Sequence, residues 1–102
     1  MYVVTRSYSG QGASALFDAL VEREDDVRAL ISTVPGFTSY AAFRTDGGGQ
    51  TVTVCQDKAG TDESSRRAAE WVKENMGVTV DPPTVTEGST VLHFSYGGAS
   101  VK

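Results

Sequence analysis

The sequence predicts one α+β domain of element order β-α-β-β-α-β, with four antiparallel strands and two helices on one face of the sheet. Three observations carry that reading. The spacing of apolar residues switches between the strand period of two and the helix period of 3.6 in this order. A glycine cluster with an Asp-Gly step, "TDGGGQ", joins two alternating segments, which marks a hairpin. The chain has 102 residues, the length of one compact core.

Each element follows from local pattern. Met1 to Ser9, "MYVVTRSYS", alternates as a strand. Tyr2, Val4, Arg6 and Tyr8 share one face, and Met1, Val3, Thr5 and Ser7 the other. "GQG" breaks it. From Ala13 to Val34, Leu16, Phe17, Leu20, Val21, Val27, Leu30, Ile31 and Val34 recur at helical spacing. The polar run Glu22 to Asp26 bends this helix, and Pro35-Gly36 ends it. Phe37 to Arg44, "FTSYAAFR", is a second strand, with Phe37, Ala41 and Phe43 on one face and Thr38, Tyr40, Ala42 and Arg44 on the other. Thr51 to Asp57 is the third strand, antiparallel to the second. Thr51, Thr53, Cys55 and Asp57 point one way, and Val52, Val54 and Gln56 the other. "KAGTDES" opens a second helix, with Thr61 as N-cap and Asp62 and Glu63 at the positive end of its dipole. Its inward stripe is Ala68, Ala69, Val72 and Met76, with Trp71 beside it, and Gly77 stops it. The fourth strand falls within Val85 to Tyr96, most clearly at "TVLHFSY". This is a ferredoxin-like sandwich over residues 1–96, followed by a flexible tail over 97–102.

Composition narrows the function classes. The net charge is -4, from 13 acidic and 9 basic side chains. Such a surface repels phosphates and anionic headgroups, so neither a nucleic acid nor a membrane is an expected partner. The aromatic pattern of RNA-binding ferredoxin-like sheets is also missing. The N-terminus lacks the basic-then-apolar order of a secretory signal, and a cytoplasmic location is the expectation. One cysteine makes no internal disulfide and no cysteine-ligated metal site. "DGGGQ" lacks the GK[ST] continuation of a phosphate loop and joins two strands, so it reads as a turn. Apolar and aromatic residues occur on both faces of the strands. An extended apolar sheet face marks an interface, and two such sheets packed face to face make a homodimer.

The "VPGF" element, Val34 to Phe37, followed by "TSYAAFR", the strand "TVTVCQDK" and a helix through "RRAAEW", resembles the dimeric α/β-barrel superfamily. It is similar to the antibiotic-biosynthesis monooxygenase-like branch, over roughly Met1 to Tyr96. The resemblance implies a homodimer whose sheets form a barrel, with a ligand cavity between the helices and sheet of each subunit. Some members oxidise polycyclic aromatic phenols with dioxygen and no cofactor; others degrade haem or are stress-related. Haem-degrading members use an asparagine near the first strand, and "YVVTRSYS" has none. The resemblance therefore implies fold and dimer state, but no catalytic residue. No cofactor or metal is expected. A small aromatic ligand, oxidised or merely bound, is the functional expectation.

Four side chains are candidates for a pocket. Trp71 is either a core anchor or the wall of an aromatic-ligand site. Tyr40 and Arg44 share a strand face and offer a phenol and a cation to one ligand, or else form rim contacts between subunits. Arg6 has the same two readings. His93, the lone histidine, is a proton carrier, a haem ligand or a hydrogen-bonded interface partner. Cys55, inside a strand, reads as a structural thiol rather than a nucleophile.

Overall fold

The computed structural model describes residues 1–95. The elements are β1 (Tyr2–Ser9), α1 (Ala13–Glu22), α2 (Glu24–Ser32), β2 (Phe37–Thr45), β3 (Gly48–Cys55), α3 (Lys58–Asn75) and β4 (Thr84–Ser89). They form a four-stranded sheet of order β2-β3-β1-β4, antiparallel at every pairing. This is the order expected of a ferredoxin-like sandwich. The tail expected over 97–102, and Tyr96 before it, lie outside the described residues.

The bend expected at Glu22 to Asp26 is a full break. Arg23 leaves helical geometry at φ -115° and ψ 37°. Glu24, Asp25 and Asp26 then occupy the first turn of α2, where the helix dipole favours negative charge. In "VPGF", Gly36 takes the left-handed φ of 73°, and its carbonyl accepts from the Gln56 N–H at 2.8 Å. That bond ties the α2–β2 turn to the end of β3.

Register assigns the faces. Tyr2, Val4, Arg6 and Tyr8 of β1 stand opposite Cys55, Thr53, Thr51 and Gly49 of β3, on the helix-covered side. The expected face of β2 needs one correction. A bulge between Phe37 and Ser39 places Phe37 opposite Cys55, so it joins Tyr40, Ala42 and Arg44 under the helices. One extra residue in a strand reverses the alternation before it. The uncovered face carries Val3, Val52, Val54, Ala41 and Phe43 on its β2–β3 half, and Thr5, Thr84 and Thr86 towards β4.

The start of the third strand and the cap of the last helix differ from expectation, while the hairpin turn falls at the expected Asp-Gly step. The third strand begins at Gly48, not Thr51, because Gly48 and Gly49 pair with Ser9 and Tyr8. The hairpin turn is Asp46-Gly47, with Gly47 at φ 77°. The cap of α3 is Asp57, whose carboxylate accepts from the Gly60 N–H at 3.3 Å. Thr61 lies inside the helix and donates to the Lys58 carbonyl at 3.1 Å. Val72 and Met76 of the expected stripe of α3 pack against the core and Ala68 lines a cavity, while Ala69 is exposed; Gly60, Thr61, Ser64 and Trp71 are the buried residues of the helix. Its first turns are therefore buried through hydroxyls rather than methyls.

The fourth strand is "TVTEGS", not "TVLHFSY". β4 pairs only with β1, which starts at Tyr2 opposite Ser89. The Thr90 N–H reaches the Met1 carbonyl at 2.8 Å, and there the partner strand ends. Val91 to Ser95 have no neighbour with which to continue the ladder. Val91, Leu92 and Phe94 are left exposed.

Candidate functional site

β2 is an edge strand, and its helix-facing residue Ala42 has too short a side chain to reach α1 and α2. A groove of about 720 Å³ results between those helices and the strand. Phe17, Leu20, Val27, Ile31, Phe37 and Tyr40 supply its apolar walls. Its rim is charged. Arg44 pairs with Asp18 of α1 at 2.6 Å, and Arg28 pairs with Glu24 at 2.7 Å. Behind the groove lies a chamber of about 30 Å³, room for one water-sized group. Leu20, Val27, Ile31 and Tyr40 line both spaces. Thr51 and Trp71 belong to the inner chamber alone.

Tyr40 is the hinge between the two spaces. Burial pushes its phenol up to about 12, against the lowering influence of Arg6 and a further rise from Tyr8. It stays a neutral hydrogen-bond donor at physiological pH. The stability consequence has a definite sign. Between pH 10, where an ordinary phenol ionises, and about 12, the unfolded chain releases this proton first. Stability therefore falls as pH rises through that window and is unaffected by this group below it. Alkaline unfolding followed alongside tyrosinate absorbance is expected to show the late phenol. Tyr40→Phe should remove the late step and weaken the pH dependence; an unchanged titration would refute the assignment.

Arg6 was expected to offer a cation to a ligand or to form a rim contact between subunits, and the structure buries it. It is 2% exposed. Its side chain extends across β3: Nη1 donates to Thr51 Oγ1 at 3.1 Å and to Thr53 Oγ1 at 3.3 Å. Nη2 donates to Ser64 Oγ of α3 at 2.7 Å. Nε is buried and has no partner among the described residues. All three acceptors are neutral hydroxyls. Burial lowers the guanidinium from its usual range, and the nearby Tyr8, Tyr40 and Cys55 raise it. An arginine nonetheless keeps its charge at neutral pH. The site thus contains a buried cation with no buried anion beside it.

The other candidates divide. Tyr40 and Arg44 meet on the groove, Tyr40 at its back and Arg44 at its rim. Trp71 is buried and walls the inner chamber, with the Arg23 guanidinium 5.8 Å above its ring. His93 follows β4, at the sheet edge opposite β2, and is not among the groove residues. Cys55 is fully buried. Burial, then Asp57, raise its thiol, against a smaller lowering by Arg6. That environment suits an inert structural thiol.

No protein-family model and no curated protein sequence matches this chain. Solved structures do. The chain is similar to the NE2512 protein of unknown function from Nitrosomonas europaea, with TM-score 0.66 and 17% identity over 95% of this chain and 94% of that one. It is similar to Rv0793 from Mycobacterium tuberculosis, with TM-score 0.59 and 20% identity over 92% of this chain and 97% of that one. A "putative monooxygenase" from Shewanella loihica PV-4 matches with TM-score 0.51 and 13% identity over 91% and 95% of the two chains. The chain shares the fold of these proteins along nearly its whole length. The expected ferredoxin-like fold is thus one that solved proteins share with this chain. At such identities the likeness is one of fold, and chemistry must be argued from the side chains.

Proposed function

We propose that this chain is a homodimeric small-molecule enzyme of the cofactor-independent monooxygenase type, and that its groove takes an electron-rich aromatic. The observation that carries this reading is the groove itself. Aromatic and aliphatic walls surround one phenol that stays protonated at neutral pH, Tyr40, which suits a flat, largely apolar ligand with a single polar end. Oxygenation of such a ligand starts with loss of a proton and stabilisation of the resulting anion. Tyr40 donates a hydrogen bond to that anion. Glu24, which lines the groove, is the proton acceptor once freed from Arg28. The uncovered sheet face, with Val3, Val52 and Phe43 in its apolar half, supports a dimer in which two sheets meet.

A second reading is binding without turnover. The Asp18 and Glu24 carboxylates are both held in ion pairs, and His93 does not line the groove. Anthrone separates the two. Oxygen uptake on its addition, reduced in Tyr40→Phe, is the result expected of the enzyme. Quenching of Trp71 fluorescence without oxygen uptake selects the binding protein. Neither signal would remove the groove as the site. Native mass spectrometry of the same preparation is expected to show a dimer, and a monomer would overturn the proposed sheet-to-sheet packing.

A further inference from the structure

A buried arginine is expensive unless something offsets its charge. In proteins that something is normally a carboxylate. Arg6 has only Thr51, Thr53 and Ser64, and its Nε–H is unspent. No pairing with an acidic side chain is present among the described residues. Arg6 itself lines neither space, and its link to the chamber runs through one hydroxyl. Thr51, which accepts from Nη1, is itself a wall of the inner chamber. The chamber holds about 30 Å³, the size of one oxygen-bearing end of a ligand, and it shares Tyr40 with the aromatic-walled groove.

We propose that Arg6 is the anion-recognition element of this site, and that the ligand is a small aromatic anion, a phenolate or a carboxylate. Its ring lies in the groove. Its charged oxygen enters the chamber beside Tyr40 and Thr51 and completes the charge balance of Arg6. This inference rests on the groove being the ligand site and adds to it the charge of the ligand. Arg6 acts as a specificity-determining residue: it rejects neutral analogues, whose binding leaves the guanidinium uncompensated. It also favours loss of a proton from a bound phenol, because the cation lowers the energy of the phenolate relative to the phenol.

Three probes of matched shape test this on the full chain. These are para-nitrophenol, para-nitrobenzoate and the neutral para-nitroanisole, with binding read by equilibrium dialysis and by quenching of Trp71. The two anions are expected to bind roughly tenfold or more tightly than the ether, the size expected of a hydrogen bond to a charged group. Bound para-nitrophenol should show its phenolate absorption at a pH where the free compound is still mostly phenol. Arg6→Met should abolish the preference for the anions over the ether, and Arg6→Lys should restore part of it. Preference for only one of the two anions supports the inference and identifies which oxygen acid fits. Equal binding of all three probes would overturn the role of Arg6 while leaving the groove as a ligand site. Failure of all three to bind would overturn both. The wild-type comparison needs no variant, so a poorly folding substitution leaves the inference falsifiable.

Discussion

Arg6→Met is expected to make the free protein more stable. The side chain of methionine is unbranched and apolar and reaches as far as the Nε position of arginine, so it fills most of the channel but carries no charge into it. Replacing buried ionic groups by apolar ones of similar volume is often neutral or stabilising by about 1–4 kcal/mol. Arg6 is worse placed than the paired ions behind that figure, because its partners are the neutral Thr51, Thr53 and Ser64 hydroxyls. The opposing cost is the loss of those three bonds. It is softened at Ser64, whose hydroxyl also donates to the Thr61 carbonyl at 2.7 Å and keeps that bond. Desolvation is the larger effect, so the calorimetric midpoint should rise by about 4 °C or more, the shift produced by about 1 kcal/mol in a domain of this size. Arg6→Ala, which leaves the channel empty, should lower it. If Arg6→Met is destabilised as much as Arg6→Ala, the hydroxyl cage outweighs the buried charge and Arg6 is a structural tie. A midpoint that rises while anion binding is lost is the expected pattern of stability sacrificed for function.

The element order was legible because it depends on periodicity, and periodicity is local. β1, the helical spacing before Pro35 and the Asp-Gly hairpin all appear where the pattern puts them. What the pattern missed depends on pairing or on contacts between distant segments. "TVLHFSY" has strand composition, but the β1–β4 ladder stops at the Tyr2–Ser89 pair. Phe37 changes face because of one bulged residue, which alternation alone does not reveal. Gly48 and Gly49 looked like turn because glycine usually punctuates, yet both are inside β3. Of the four side chains read as ligand candidates, Tyr40 and Arg44 stand on the groove, Trp71 on the smaller chamber, and His93 on neither. Arg6 was harder. Its position on the Val4–Tyr8 face was visible, as were Thr51 and Thr53 on one face of the third strand. Register brings these two faces together, and α3 adds Ser64 from a turn expected to be merely polar. The signal was a charge on an otherwise buried face, opposite two threonines, and reading it required the strand pairing.

The second large effect is expected at Gly49, which sets the depth of the groove. It stands opposite Tyr8 in β3, and a Cβ built there would lie 2.5 Å from Phe17 Cζ. The Phe17 ring lies flat over this glycine. It also meets Tyr8 edge-on, with centroids 6.1 Å apart at 71°, a favourable arrangement of the two ring quadrupoles. Phe17 is 3% exposed, so it has little room to retreat. Gly49→Val is therefore expected to destabilise by about 1–3 kcal/mol through overpacking. The gain from reduced backbone freedom, under about 1 kcal/mol, does not offset this. The displaced ring would move towards the groove, which Phe17 lines, so ligand binding should weaken with stability. Phe17→Leu alone should cost stability by removing the aromatic contact with Tyr8. Combined with Gly49→Val it should cost less than the two single changes added together, because the smaller side chain leaves room for the new methyls. A double-mutant cycle by urea unfolding measures that coupling directly. Strict additivity would mean that the ring and the glycine do not constrain each other. A coupling of about 0.5 kcal/mol or more in the rescuing direction would place the origin of the groove wall in a missing side chain on β3.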